Sequence, residues 1–417
     1  MCNLSNVSAM LIGLLAATLV GGAQGATFKV LYRFCSQKDC KDGRQPTGPI
    51  AHDQQGNFYA ATTNIDGGDF QGTIDRIGPG GKHYKAKVLH TYNDFPTAEP
   101  NAGVIIDVSG NIYGTTRDLI YELVWNADHT KRKYQVIYTF CPEFNCSNGG
   151  EPSGPLGYAG ADSGLPYDGV SPLYGTATVG GVGNGVVYQL VPNGDHWDES
   201  VVYSFCQQAK CADGAEPNGG VYVAADASLY GVTRGGGKRA GDCTLGCGIV
   251  FHLSPNAPSK PGLGEWKEET VYAFCQVGGC ADGKEPYYPP VMDAQGDLVG
   301  AIERLANGKV FKLSRSGEHW TYTTLSNDIN MPRSVVTLDS AGNIYGEMDA
   351  FPGQGAVYRL SGSTLTTLHT FCAKQTQTCK YGANPRGGLL LDADGKLFGI
   401  TGLGGNNDSG TLFELTP

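Results

Sequence analysis

The sequence predicts an all-β chain, a seven-bladed β-propeller of four-stranded antiparallel blades closed by the N-terminal strand completing the last blade. Three observations lead there. Three short strand-like elements recur seven times in a fixed order. No segment of any length carries helical periodicity. The chain enters the repeat on one kind of strand and leaves it one strand short, so its two ends complete each other.

The first element reads VLYRF (30–34), VLHTY (88–92), VIYTF (136–140), VVYSF (201–205), TVYAF (270–274), YTTLS (322–326) and TLHTF (367–371). Its starting positions, 30, 88, 136, 201, 270, 322 and 367, are 45 to 69 residues apart. The second element is typified by NIYGTT (111–116) and KLFGIT (396–401), and the third by GVVYQLV (185–191) and GTLFELT (410–416). Each is short, alternating and rich in Val, Ile, Tyr, Phe and Thr, the composition of a strand packed on one face. A fourth strand precedes the second, as in GVIIDVSGNIYG (103–114), where Asp caps a tight turn and Gly accepts positive φ. Self-similarity at this period, with four strands per unit, is the signature of a propeller. TFKVLYRF at 27–34 is an outermost strand with no blade before it, and GTLFELTP ends on a third strand with none after it. Pairing the two removes the open edges of the array.

The expected domains are therefore a signal peptide at 1–25 and a single propeller at 26–417. Residues 9–25 form an apolar run followed by small residues, with Ala23 and Gly25 at the −3 and −1 positions of a cleavage site, although residues 1–8 hold no Lys or Arg. The alternative is an uncleaved N-terminal anchor. With a formal net charge of −10 the surface repels polyanions, which argues against a nucleic-acid partner. No other segment has the roughly 20 apolar residues a membrane span needs. The expectation is a monomer that is secreted, extracellular or periplasmic.

Cysteines support export. Of thirteen, Cys2 lies in the signal segment, and the rest fall into close pairs. Cys35 is matched with Cys40, Cys141 with Cys146, Cys206 with Cys211, Cys243 with Cys247, Cys275 with Cys280, and Cys372 with Cys379. An even set of local pairs behind a signal peptide reads as disulfides. Five of the pairs follow the outer strand, in the loop entering the next blade. The connections at 93–100 and 326–333 lack cysteines and are shorter. Zinc would require four ligands together, and doublets in different blades are expected to lie too far apart, so no metal and no cofactor is expected.

The combined pattern of aromatic-Cys, Asp-Gly-x-x-Pro, Leu-Tyr-Gly-Thr and Gly-x-Val-[Phe/Tyr]-x-Leu resembles the tandem GloVer repeats of bacterial exported "choice-of-anchor" proteins. The likeness covers residues 27–417 and is most specific at 173–194 and 397–417. It implies an exported β-propeller and little about activity.

Other motifs favour structural readings. Asp42, Asp213 and Asp282 each open an Asp-Gly-x-x-Pro. No Asp-x-Asp-x-Asp-Gly loop accompanies them, so a turn is expected rather than calcium. Asp53, Asp107, Asp226, Asp293, Asp339 and Asp392 recur at the inner hairpin, where a turn again competes with a carboxylate ring. The Gly runs at 180–185 and 235–241 precede strands, not helices, which excludes a dinucleotide loop. His90 and His369 replace an aromatic and are expected to pack.

Function is expected where the repeat breaks. The inter-blade loops and the second-to-third-strand loops share one face, where the ends of the second strands carry Arg117, Arg234, Glu303, Arg304, Glu347 and Asp349. The insertions 161–171 and 235–248 are expected near the same face. The expectation is a binding or scaffold propeller for a glycan, peptide or surface-protein ligand. The alternative is a channel-mouth glycoside hydrolase or lyase using Glu303, Glu347 or Asp349, which needs a carboxylate pair about 5–5.5 Å or about 6.5–9.5 Å apart.

Overall fold

A computed structural model describes residues 25–63, 72–81, 83–92, 99–126, 128, 130–141, 146–241, 243–256, 266–302, 308–349, 354–373 and 379–417. Nearly all of the expected signal segment, together with Glu303 and Arg304, lies outside them.

The described chain is a ring of seven four-stranded antiparallel sheets. Strand β1 (Thr27–Arg33) opens the chain. Blade 1 is β2 (Arg44–His52), β3 (Phe58–Thr63), β4 (Gly72–Pro79) and β5 (Tyr84–Tyr92). Blade 2 is β6 (Pro100–Ile106), β7 (Ile112–Thr116), β8 (Leu119–Trp125) and β9 (Arg132–Thr139). Blade 3 follows as β10 (Gly150–Gly157), β11 (Leu173–Val179), β12 (Val186–Asn193) and β13 (His196–Ser204). Blade 4 is β14 (Ala215–Val223), β15 (Leu229–Gly235), β16 (Ile249–Pro255) and β17 (Trp266–Ala273). Blade 5 is β18 (Val291–Met292), β19 (Leu298–Ile302), β20 (Gly308–Ser316) and β21 (His319–Ile329). Blade 6 is β22 (Thr337–Leu338), β23 (Ile344–Met348), β24 (Ala356–Ser361) and β25 (Thr364–Thr370). In blade 7, β26 (Ala383–Leu391), β27 (Leu397–Leu403) and β28 (Thr411–Thr416) are completed by β1, which pairs antiparallel with β28 from Thr27↔Thr416 to Arg33↔Thr411. The closure expected from the two chain ends is thus present. Phe28 secures it, stacking on His369 of blade 6 with ring centroids 3.7 Å apart.

The repeated Tyr-Gly of the second strand and the Phe/Tyr of the third are one device. Gly114, Gly175, Gly231, Gly300, Gly346 and Gly399 pair in register with Tyr121, Tyr188, Phe251, Phe311, Tyr358 and Phe413. A Cβ on any of these glycines would lie 2.2–2.6 Å from the partner's ring or hydroxyl. Only glycine lets the ring fold flat across the neighbouring strand. Blade 1 departs from the rule: Ala60 faces Asp75, a fully buried carboxyl that burial pushes well above the ordinary carboxylate range.

The cysteines are bonded in the expected pairs. Cys35 is joined to Cys40, Cys141 to Cys146, and Cys206 to Cys211, each across five residues of chain. Cys243 is joined to Cys247, Cys275 to Cys280, and Cys372 to Cys379. Beneath three of the loops a buried aspartate holds the turn. Asp213 accepts Tyr203 Oη at 2.9 Å and the N–H groups of Gln207 and Gln208 at 2.9 and 3.1 Å. Asp42 and Asp282 repeat the arrangement with Tyr32 and Tyr272. These carboxylates cap loops. The inner-hairpin aspartates do the same: Asp107 Oδ1 accepts the N–H groups of Ser109 and Asn111, while Oδ2 accepts Asn111 Nδ2 and Tyr113 Oη. His90 packs as expected, stacked on Tyr134 at 4.2 Å.

Candidate functional site

Each blade is entered through a proline: Pro46, Pro100, Pro152, Pro217, Pro286, Pro332 and Pro385. The residue before it is left-handed in six blades: Gln45 (φ 48°), Glu151 (54°), Glu216 (55°), Glu285 (50°), Met331 (43°) and Asn384 (55°). That conformation is costly for a side chain before proline. In four of these blades it is held by the preceding blade, whose second-to-third-strand loop accepts the N–H. Gln45 donates to Ser409 O at 2.8 Å, Glu216 to Asn184 O at 2.8 Å, Glu285 to Cys247 O at 2.7 Å and Asn384 to Gln354 O at 2.6 Å. This latch puts the starts of the inner strands, the ends of the second strands and the inter-blade loops on one face around the ring axis, here called the upper face.

The sequence-predicted residues are dispersed on it. Arg117, just past β7, is exposed and has no ion-pair partner among the described residues. Arg234 lies 3.8 Å from Glu216 and stands over the Tyr287 ring of the next blade at 4.9 Å. Asp349 is engaged by Arg333 through both oxygens, at 3.0 Å from Nε and 2.6 Å from Nη2. Glu347 is only 1% exposed, so it lies beneath the face rather than at its surface. Its Oε2 accepts the Gly388 N–H of the next inner strand at 3.0 Å. In blade 3, Thr176 does the same for the Gly220 N–H at 3.1 Å. Glu347 is therefore an inter-blade hydrogen-bond acceptor whose carboxyl, chiefly through burial, is pushed up to about 7. The hydroxyl of Ser334, itself buried, lies beside this carboxyl and favours its ionised form, against the larger effect of burial.

Reading the sequence missed two arginines. The residue after the blade-entry proline is Thr47, Asn101, Ser153 or Asn218 in blades 1–4, Tyr287 in blade 5, and Arg333 and Arg386 in blades 6 and 7. Aligning on the proline would have found them. Arg386 Nε donates to Pro46 O at 3.2 Å, across the junction with blade 1. Its guanidinium lies over Gly402, where a Cβ would come within 2.4 Å of Nε. Gly402 occupies the second-strand position filled by Arg234 in blade 4 and Asp349 in blade 6, and its missing side chain makes that room. Among the described residues no carboxylate lies within ion-pair distance of Arg386. Burial lowers its pKa, an effect that the more distant Glu347 carboxyl offsets only in part.

One expectation is corrected. The insertion at 161–171 joins β10 to β11, an inner strand to a second strand, so strand order puts it on the opposite face. There Tyr167 bridges to Asp107, and the Val108 N–H donates to Tyr167 O at 2.8 Å against the blade 2 hairpin. The insertion at 235–248 does lie on the upper face. It brings Cys243 and Cys247 beside Cys275 and Cys280 of the same blade, all four Sγ atoms within 4.8 Å of one another. The expectation that doublets stand too far apart concerns different blades and does not cover these two, which both belong to blade 4. The other pairs, such as Cys35 with Cys40 and Cys206 with Cys211, belong to no such cluster among the described residues.

No family model matches the chain, and no curated protein matches it. Among solved structures it is similar over 92% of its length to a chain described as the extracellular domain of a hybrid two-component system from B. thetaiotaomicron, at 13% identity and a TM-score of 0.55. A second domain of that description from the same organism matches 94% of the chain at 13% identity and a TM-score of 0.53. The chain spans 39% and 41% of those two structures. A Trichoderma reesei carbohydrate-active enzyme of family AA12 aligns over 94% of this chain and 96% of its own, at 12% identity and a TM-score of 0.44, too low to carry an argument. What is shared is the propeller fold. Among the described residues no helix is long and apolar enough to cross a membrane.

Proposed function

We propose that this protein is a secreted or extracellular binding propeller that takes its ligand on the upper face, over blades 6 and 7, through an anionic group. The observation that carries this reading is Arg386, a largely buried guanidinium with no carboxylate partner among the described residues, beside a second arginine in the neighbouring blade. An unpaired, partly desolvated arginine is costly unless a ligand or water completes it, and its planar fork suits carboxylates, sulfates and phosphates. The disulfides support an oxidising compartment, as does the resemblance to exported GloVer-repeat proteins. The likeness in fold to extracellular domains of two-component systems agrees with that location. The ligand class is an acidic glycan, peptide or surface protein.

The enzymatic alternative has less support. Glu347 is committed to a backbone N–H and Asp349 to Arg333, so neither stands free as acid or nucleophile. The test is an array of acidic and neutral glycans and peptides probed with the wild-type chain, then with R386Q and R333Q. Binding to acidic ligands is expected to weaken about 10- to 100-fold in R386Q, the value of one charge-assisted contact. Unchanged binding in both folded variants would overturn the site.

A further inference from the structure

Blade 4 holds a feature the repeat does not account for. The pair of Cys275 and Cys280 closes the loop after β17, as its counterparts do elsewhere. Cys243 and Cys247 sit in the insertion between β15 and β16, which no other blade has with cysteines. All four residues are buried, and their Sγ atoms lie within 4.8 Å of one another. The spacings Cys-x3-Cys and Cys-x4-Cys fall in the range of structural zinc doublets. A tetrahedral zinc with Zn–S bonds of about 2.3 Å requires sulfurs about 3.8 Å apart, a set these positions approach with shifts of about an ångström or two. Among the described residues this is the one such cluster of metal-ligating side chains.

The loops bearing the sulfurs are fixed by bonds other than the disulfides. The Cys247 N–H donates to Lys238 O at 2.9 Å, and the Gly236 N–H to Leu245 O at 2.7 Å. Asp282 holds the second loop through the N–H groups of Gln276 and Val277 and the hydroxyl of Tyr272. The Glu285 N–H donates to Cys247 O at 2.7 Å and so ties the two loops together. Opening both S–S bonds therefore leaves four thiols facing one another inside a preformed cage. Four crowded thiolates repel unless a cation lies among them, and that repulsion favours metal over empty dithiols.

We propose that the cysteines of blade 4 form a redox-gated tetrathiolate metal site, two disulfides when oxidised and a zinc ligand set when reduced. In the gating step two dithiol molecules deliver four electrons and four protons. Both S–S bonds break, four thiols form and the dithiols leave as cyclic disulfides. Binding one Zn²⁺ then releases the four thiol protons as four S–Zn bonds form.

The test uses the chain reduced under nitrogen with a water-soluble phosphine, which takes oxygen from water as each disulfide becomes two thiols. Zinc is added, free metal is removed, and bound zinc is counted by elemental analysis. About one zinc per chain is expected for the wild type and for C206S/C211S, falling to background in C243S/C247S. Cobalt substituted into the same chain is expected to give the intense visible bands of tetrahedral sulfur ligation. Zinc retained equally by C243S/C247S, or absent from all three proteins, would overturn the proposal. So would loss of the β-sheet circular dichroism on reduction, since the cage is argued to stand without its disulfides.

Discussion

Replacing Glu347 by glutamine isolates the consequence of burying a carboxyl between blades 6 and 7. The side chain is 1% exposed and its carboxyl titrates at about 7, against an ordinary value of 4.5. Below pH 4.5 the group is protonated in both folded and unfolded chains and contributes no pH dependence. Between 4.5 and 7 the unfolded chain releases the proton and the folded chain retains it, so stability falls as pH rises. Above 7 the folded chain ionises too and the loss is complete. At about 1.4 kcal/mol per pH unit the full loss is about 3 kcal/mol. Glutamine keeps an oxygen for the Gly388 N–H and cannot ionise. E347Q is therefore expected to gain about 3 kcal/mol on the wild type between about pH 4 and about pH 8.5. The assay is guanidinium unfolding followed by tryptophan fluorescence at four pH values spanning that interval, with the disulfides intact. A difference between the two proteins that does not change with pH would refute the account of Glu347.

Three further perturbations probe other contacts. D213A removes a buried acceptor from Tyr203 Oη and two loop N–H groups and is expected to cost about 3 kcal/mol in the same unfolding assay. G387A forces a Cβ to 2.2 Å from Gly48 O at φ +100°, on the junction of blades 7 and 1. It is expected to cost at least about 3 kcal/mol, read as a lower unfolding temperature or failure to accumulate as folded protein. His369, lowered by burial to about 4, stays neutral in the folded chain while the unfolded imidazole protonates near 6.5. The contribution of His369 to stability should therefore decline as pH falls from 6.5 to about 4, opposite in sign to that of Glu347. H369F, which keeps the stack on Phe28, should lose this contribution, so its unfolding temperature should rise relative to the wild type as pH falls through that interval.

The blades were legible because their information is local. Period-two alternation, Asp-Gly turns and cysteines a few residues apart report on contacts made within a hairpin or a single loop. Cys141 finds Cys146, and Cys372 finds Cys379, without leaving the loop that carries them. The second and third strands were identified from Tyr-Gly and Phe/Tyr, and the structure supplies the reason: the ring of Tyr188 occupies the space a Cβ on Gly175 would take. The same reading did not distinguish Arg117 from Glu347. It grouped both at the ends of second strands, but Glu347 directly follows the repeated glycine and is sealed under the next inner strand, whereas Arg117 stands two positions further on and is exposed. The misplaced insertion at 161–171 was an error of strand order, because the loop between an inner and a second strand belongs to the opposite face.

By itself the sequence determined the number of blades, the order of their strands, the closure through β1 and the partners of the cysteines, since each follows from residues near in the chain or from matching ends. Tertiary structure alone decided that Arg386 lies over Gly402 with no carboxylate at ion-pair distance among the described residues, that Glu347 serves Gly388, and that four sulfurs meet in blade 4. Those contacts cross between blades or between loops on one face, where spacing along the chain carries no information about distance.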